Sequence, residues 1–375
     1  MRDDNDFMLM ALKLAEKGLG KTSPNPMVGA VIVKNGRIFG KGYHRKAGCD
    51  HAEIAAIKTA GLNAKGATLY VNLEPCNHFG RTPPCTEAII KSGIKKVVSA
   101  MKDPNPLNNG NGFKRLKIAG IKIINGILEK DAKKLNEAFI KYITKKTPFV
   151  TVKIAESLDG KIATKTRDSK WISNEKSRQY VHKLRSRVDA IMVGARTVIK
   201  DNPLLTSRIS NKDRRQKTED QRPIKIIVDS MLKIPSNAKI FSRKSPAKVI
   251  IATTKKAPKD RINKFEKIGA EIIVLKDVAG KADLAQLMKE LGKREITSVL
   301  VEGGGELIGS LVDAKLVDKF LFFVTPKIIG GRDAITSVEG EGAEKVKQGL
   351  ILRDIKYKRF DTDLLVEGYV KCLQA

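Results

Sequence analysis

Strand-sized apolar runs separated by helix-sized amphipathic stretches constrain this chain more than any other feature. Ala30-Val31-Ile32-Val33, A-T-L-Y-V-N-L at 67–73, K-K-V-V-S-A-M at 95–101 and I-K-I-I-N-G-I at 121–127 are too short for buried helices and have the length of strands. Between them, residues 4–20, 51–61, 85–93 and 112–120 carry helical patterns, the first acidic at its start and closed by glycine. Asn35-Gly36 sits between two apolar runs as a type I′ hairpin turn. Helices alternating with strands imply an α/β layered fold, in which sites lie at the carboxyl ends of strands.

The run T-K-K-T-P at 144–148 is polar and ends in proline, and a new strand, F-V-T-V-K-I-A, follows at once. A chain of 375 residues exceeds the usual single domain, so two domains are expected, 1–146 and 147–375. In the second, strands are expected at 189–194, 224–230, 248–254, 271–275 and 297–301, with closing strands from Lys319 and Leu364. Helices are expected at 260–269, 283–292 and 306–312. Ser210 to Gln221 has no apolar residue and reads as an exposed loop.

No window is apolar for long enough to cross a bilayer, so no membrane role is expected. The first residues, M-R-D-D-N-D, resemble neither a signal peptide nor a transit peptide, which makes the cytoplasm the expected location. Four cysteines are too few for a disulfide scaffold, and in a reducing compartment thiols near histidine point to metal or catalysis. The formal net charge of +31 raises the alternative of a nucleic-acid partner. Its basic residues are scattered, however, and aromatics make up only 5%, so nucleic acid is not expected as the main partner.

The stretch E-P-C-N-H-F-G-R-T-P-P-C at 74–85 holds two thiols, and H-A-E at 51–53 opens a helix upstream of it. His51, Cys76 and Cys85 as zinc ligands would leave the fourth tetrahedral position to water, the arrangement of a catalytic site. Glu53 then suits a proton shuttle from water to a departing amine. His-x-Glu with Pro-Cys is the signature of zinc deaminases, although here the second thiol is displaced to nine positions after the first. The competing arrangement is a closed zinc knot with His78 as fourth ligand and Glu53 as a helix N-terminal charge. In the second half, E-G-G-G-E-L-I-G at 302–309 follows a strand and opens a helix, either as an anion site for a cofactor pyrophosphate or as a tight turn.

These motifs together resemble the bifunctional deaminase-reductase family of bacterial riboflavin biosynthesis. The insert H-F-G-R-T-P-P-C at 78–85 carries most of the likeness, joined by P-N-P-M-V-G at 24–29, G-Y-H at 42–44 and D-P-N-P at 103–106. K-I-A-E-S-L-D-G-K at 153–161, S-K-W-I-S at 169–173, D-N-P-L-L-T at 201–206 and E-G-G-G at 302–305 extend it through the second half. The resemblance implies a cytidine-deaminase-like α/β/α domain followed by a dihydrofolate-reductase-like α/β domain. The first would hold Zn2+ and remove the 2-amino group of a diaminopyrimidinone ribosyl phosphate. The second would use NADPH to reduce the ribosyl group to ribityl.

By the same resemblance Asn25, His44, His78 and Arg81 would hold the deaminase substrate. Ala155, Trp171, Thr197, Asp201, Ser230 and the turn Gly304, Gly305, Glu306, Leu307, Ile308, Gly309, Ser310 would contact the cofactor. Lys153, Ser169, Arg185, Leu205, Arg208 and Glu302 would face the reductase substrate. Arg185 and Arg208 are cations of the kind a sugar phosphate needs, and Trp171, the only tryptophan, offers a flat apolar wall. The expected partner is a small phosphorylated pyrimidine, and a homo-oligomer is expected. His182 and Cys372 read as a surface and a packed residue.

Overall fold

The computed structural model describes residues 2–80, 83–207, 222–242 and 247–370. Arg81, Arg208, the expected loop 210–221 and Cys372 lie outside them. The chain divides into two compact units, Met1–Lys146 and Thr147–Ala375.

The first unit contains α1 (Asp4–Ala15), β1 (Gly29–Lys34), β2 (Arg37–Tyr43), α2 (Ala52–Ala60), β3 (Thr68–Val71) and α3 (Cys85–Lys91). It continues through β4 (Lys96–Ser99), α4 (Asn111–Ile118) and β5 (Lys122–Asn125). The sheet order is β2-β1-β3-β4-β5, antiparallel through the hairpin and parallel from β3 onward. Asn35 and Gly36 both have positive φ, 49° and 72°, as the expected hairpin turn requires. Val31, Leu69, Val97 and Val98 are fully buried in one core with Met8, Ala56 and Ile89 from the helices. Two further helices, α5 (Glu129–Leu135) and α6 (Glu137–Lys145), stand where no element is expected from sequence.

Helix α2 lies directly on β2. A Cβ added at Gly40 would sit 2.3 Å from the Ala56 carbonyl oxygen, and one at Gly42 would sit 2.3 Å from that of Ala52. Only glycine allows this backbone approach, and it fixes the helix whose first turn bears His51 and Glu53.

The second unit is built on one nine-stranded sheet. Its elements begin with β6 (Phe149–Ser157), β7 (Lys161–Ala163), α7 (Glu175–Arg185), β8 (Ala190–Gly194) and α8 (Ala195–Asp201). There follow β9 (Ile224–Val228), β10 (Val249–Thr254), α9 (Lys259–Lys267), β11 (Glu271–Leu275) and a small ladder of β12 (Asp277–Val278) with β13 (Lys281–Ala282). After α10 (Leu284–Lys293) come β14 (Ser298–Val301), α11 (Gly305–Asp313), β15 (Lys319–Thr325), β16 (Ile335–Thr336), β17 (Leu352–Phe360) and β18 (Asp363–Val370). Sheet order is β11-β10-β9-β8-β14-β6-β15-β18-β17, parallel as far as β15 and antiparallel in the last two.

Alternate residues of the central strands feed two cores. Met192, Ile226 and Ile250 enter one, whereas Val193, Ile227 and Ile251 enter the other. Burial on both faces explains why these strands read as continuous apolar runs. Strand β17 was not expected from sequence. It is the edge of the sheet, and seven of its nine residues are exposed, so it carries no apolar period.

Gly42→Ala should push α2 off β2, lowering stability by about 1–3 kcal/mol and lowering zinc occupancy. Gly36→Ala has open space for its methyl but keeps a positive φ, so it should cost about 1 kcal/mol and leave zinc content unchanged. Metal analysis alongside denaturant unfolding checks both.

Candidate active sites

In the first unit, His51 is the N-cap of α2 and Cys85 is the first residue of α3. Their donor atoms and that of Cys76 lie within 4.8 Å of one another. His51 Nδ1 is 3.2 Å from Cys85 Sγ and 3.6 Å from Cys76 Sγ. A tetrahedral zinc with ordinary Zn–S and Zn–N bonds would set such ligand atoms about 3.5–3.8 Å apart, so the donors fit the ion. Among the described residues His78 is not part of this cluster, and the fourth protein ligand of a closed knot is missing.

The backbone N–H of Cys85, at the start of α3, donates to Cys76 Sγ at 3.3 Å. Hydrogen bonds from Cys85 and His51 pull the Cys76 thiol down to about 4. Its pairing with Cys76 pushes the Cys85 thiol up. Their mutual hydrogen bond pushes the two thiols in opposite directions, and a bound dication would favour both as thiolates. Hydrogen bonding to Cys76 raises His51 to about 9. Glu53 is 4% exposed, and burial pushes its carboxyl up to about 7 against the opposing charge of His51. Burial is thus what raises this carboxyl toward the range suited to a general acid–base group.

His44 and His51 meet edge to face, with centroids 5.3 Å apart. His44 Nδ1 lies 3.1 Å from the Asp50 carbonyl, which can only accept, so Nδ1 donates. Nε2 of the neutral ring then accepts from Asn25 Nδ2 at 3.1 Å. Burial lowers the pKa of His44, and His51 adds to the effect. Asn25 in turn is placed by Met27, whose backbone is held by Asn72 and Asn136. Among the described residues, no group hydrogen-bonds the buried His78 Nδ1. His44 thus lies against His51 and Asn25 against His44, while Arg81 is outside the described residues.

Sequence reasoning overlooked the network beneath this site. Glu74 accepts the backbone N–H groups of Asp103, Gly110 and Phe113 at 3.0, 3.0 and 3.1 Å. Asn108 accepts from the Asn77 N–H and donates to the Pro75 carbonyl, and Thr86 donates to the Asn77 side chain. The one available signal was an acidic residue directly before Pro75-Cys76.

In the second unit, Arg185 and Glu302 form a bidentate pair, Nε to Oε1 at 2.6 Å and Nη2 to Oε2 at 2.7 Å. Arg185 Nη1 also donates to the Thr206 carbonyl, which lies 3.2 Å from His182 Nδ1. Burial works to raise the Glu302 carboxyl, but Arg185 and Lys153 overcome it and hold it below its ordinary value. Burial pushes the Lys153 ammonium down, with Glu302 opposing and Arg185 assisting. Leu205 is buried at φ 49° in a nearby core.

A cavity of about 380 Å³ opens at the carboxyl ends of β8, β9 and β14. Ser169, Thr197, Asp201 and Ser230 line it, as do Gly304, Gly305, Glu306, Leu307 and Ser310. Gly303 and Gly304 have positive φ, and a Cβ at Gly303 would meet Thr197 Oγ1 at 2.8 Å. Gly304 exposes the N-terminus of α11 to the cavity, a cradle suited to a pyrophosphate. Burial raises the Asp201 carboxyl, with Lys170 opposing.

Other expected cofactor residues stand elsewhere. Ile308 is in the core, and a Cβ at Gly309 would lie 1.9 Å from the Glu339 carbonyl oxygen. Ala155 packs against a cluster of Val181, Leu321, Phe323 and Leu365. Trp171 is 65% exposed, with the Arg178 guanidinium 4.6 Å above its ring. Arg196, Lys233 and Lys281 also line the cavity without having been expected.

Residues 1–101 match the family model "Cytidine and deoxycytidylate deaminase zinc-binding region", and 148–366 match "RibD C-terminal domain". The chain is 44% identical over 363 residues to the riboflavin biosynthesis protein RibD of Aquifex aeolicus, covering 97% of each chain. It is 39% identical over 332 residues to RibD of Escherichia coli, covering 87% of this chain and 89% of that one. Among solved structures, Acinetobacter baumannii RibD superposes with a TM-score of 0.87 at 35% identity, covering 98% and 99% of the two chains. A Thermotoga maritima protein described as a diaminohydroxyphosphoribosylaminopyrimidine deaminase/5-amino-6-(5-phosphoribosylamino)uracil reductase gives 0.84 at 39% identity, covering 98% of both.

Arg185→Met should destabilise the second unit by about 3–5 kcal/mol, since it leaves Glu302 buried without its guanidinium. Arg185→Met with Glu302→Leu should recover most of that loss. Guanidinium unfolding followed by circular dichroism measures both, and a single variant within about 1 kcal/mol of the parent chain would contradict the pairing.

Proposed function

The chain belongs to the RibD family of riboflavin biosynthesis proteins, and from that premise we propose that it deaminates 2,5-diamino-6-(5-phosphoribosylamino)pyrimidin-4(3H)-one and then reduces the product to 5-amino-6-(5-phosphoribitylamino)uracil. The observation that carries the first step is the three-donor cluster of His51, Cys76 and Cys85 with the buried Glu53 beside it. The cofactors are Zn2+ in the first unit and NADPH in the second.

Zinc held by His51, Cys76 and Cys85 would supply the Lewis acidity that makes water nucleophilic near neutral pH. Glu53 takes a proton from the attacking water and delivers it to the departing ammonia. Its raised pKa suits both halves of that transfer. Asn25, His44 and His78 orient the pyrimidine by hydrogen bonds, and Arg81 holds the phosphate.

NADPH would supply the hydride for the second step. Gly304 and Gly305, with the first turn of α11, cradle its pyrophosphate; Thr197, Asp201 and Ser230 border the nucleosides. Lys153, Arg185 and Glu302 face the ribosyl phosphate together with Ser169, Leu205 and Arg208. The hydride that bound NADPH would supply to C1′ of the opened sugar must be matched by a proton at the former ring oxygen, for which Lys153 and Asp201 are the candidate donors. The working protein is read as a cytoplasmic homo-oligomer acting on small molecules, in keeping with basic residues scattered rather than clustered.

The decisive experiment supplies the diaminopyrimidinone ribosyl phosphate to zinc-loaded protein and follows ammonia, then NADPH absorbance. The parent chain should release ammonia and consume NADPH, in that order. Glu53→Gln should retain its zinc and lose ammonia release by about 10²–10⁴-fold, while still oxidising NADPH with the aminouracil substrate. Absence of both reactions in the parent chain would overturn the reading.

A further inference from the structure

Residues 164–174, between β7 and α7, contain no helix or strand. They bring Ser169 to the cavity wall, with Trp171 two positions further on. At the start of this segment the Thr164 N–H donates to the Asp168 carbonyl at 3.0 Å, and the Asp168 N–H donates to Thr164 Oγ1 at 3.1 Å. At its end stands Asn174, the N-cap of α7, whose side chain accepts the Ser177 N–H at 2.9 Å. Arg178 donates to the Ser173 carbonyl and lays its guanidinium over the Trp171 ring. The end of the segment is therefore tied to the start of α7.

Asp363 ties that helix start to the sheet. It opens β18 and is 2% exposed. Because β18 runs antiparallel to β15, with Leu364 opposite Val324, Asp363 stands at the same carboxyl end of the sheet as the cavity. Its Oδ2 accepts the Asn174 N–H at 2.8 Å and the Ser177 hydroxyl at 2.7 Å, and Asn174 Nδ2 donates to the Phe360 carbonyl at 2.6 Å. Ser177 is fully buried, so its hydroxyl has no water to turn to if Asp363 is lost.

Other contacts of α7 are less exacting. Tyr180, Val181 and Leu184 pack with Phe323, Phe360 and Leu365, but apolar burial has no direction and tolerates sliding. Lys176 pairs with Asp361 at 63% and 51% exposure, where an ion pair adds little. Lys327 reaches the Trp171 carbonyl from an exposed side chain. Two hydrogen bonds to one buried oxygen are what set where the helix begins.

We propose that Asp363 is a positioning residue for the reductase: through Asn174 and Ser177 it sets the segment that presents Ser169 to the substrate. The inference rests on the reductase reading above, in which Ser169 faces the ribosyl phosphate. It also gives the β17–β18 hairpin a part in the reaction, although neither strand touches the substrate.

Trp171 is the only tryptophan, so its fluorescence anisotropy in the full chain reports this segment without turnover. Asp363→Leu should lower that anisotropy and lower kcat/KM for the aminouracil substrate by about 10–100-fold, mostly as a rise in KM, with zinc content and ammonia release unchanged. Asp363→Asn retains an acceptor oxygen and should keep both properties near those of the parent chain. Ser177→Ala deletes a single donor and should show the same changes at smaller size, which keeps the test open should Asp363→Leu fail to fold. Phe265→Leu, in a different apolar cluster, is a control for lowered stability and should alter neither property. Unchanged kcat/KM in Asp363→Leu and Ser177→Ala, or equal changes in Phe265→Leu, would overturn the proposal while leaving the reductase reading intact. A parent chain that never oxidises NADPH would overturn that reading, whatever the anisotropy shows.

Discussion

Carboxylates that accept backbone N–H groups hold both units together at the ends of their strands. Glu74 takes three such groups from the loop after β4 and the first turn of α4, and Asp229 takes two from the turn after β9. Asp189 accepts the N–H groups of Thr297 and Ser298, and Asp159 accepts those of Ile329 and Gly330. Each bond to an ionised acceptor is worth about 1.5–3 kcal/mol, and deleting the acceptor strands several donors at once. The chain has 72 lysines and arginines against 41 acids. Its surface pairs, such as Lys58 with Asp50 at 67% and 48% exposure, add little by comparison.

The metal-donor cluster depends on that arrangement at one remove. Cys76 leaves β3 through Glu74 and Pro75, and the Glu74 carboxylate fastens the loop that carries Asn108. Asn108 fixes the Asn77 peptide, and the Asn77 side chain receives the Thr86 hydroxyl next to Cys85. Both thiols are therefore referred to one buried acceptor. On the opposite wall, Asn72 and Asn136 hold Met27, which sets Asn25 against His44. The donors approach ligand geometry through hydrogen bonds formed by the chain itself.

What was legible in the sequence follows from where each signal resides. Central strands declared themselves because burial on both faces demands unbroken apolar residues, as in Ile226-Ile227 and Ile250-Ile251. The metal donors were readable because their chemistry belongs to the residue types themselves. Strand β17 was hidden because solvent covers most of it, leaving charges where a period would show. The pairing of Arg185 with Glu302 joins residues 117 positions apart, a distance no local pattern encodes. Within G-G-E-L-I-G, spacing could not separate Gly304, which opens to the cavity, from Gly309, which is pressed against the Glu339 carbonyl. Both are glycine for steric reasons, but the neighbours differ.

Charge is unbalanced among three neighbouring groups of the second unit. Lys153, Arg185 and Glu302 place two cations and one anion in a poorly solvated pocket, and the surplus positive charge is costly there. The protein relieves part of that cost by lowering the affinity of Lys153 for its proton. A phosphate-bearing ligand would supply the missing negative charge and restore that affinity. Arg185 and Lys153 hold the Glu302 carboxyl below its ordinary value, and Glu302 in turn opposes the loss of the Lys153 proton.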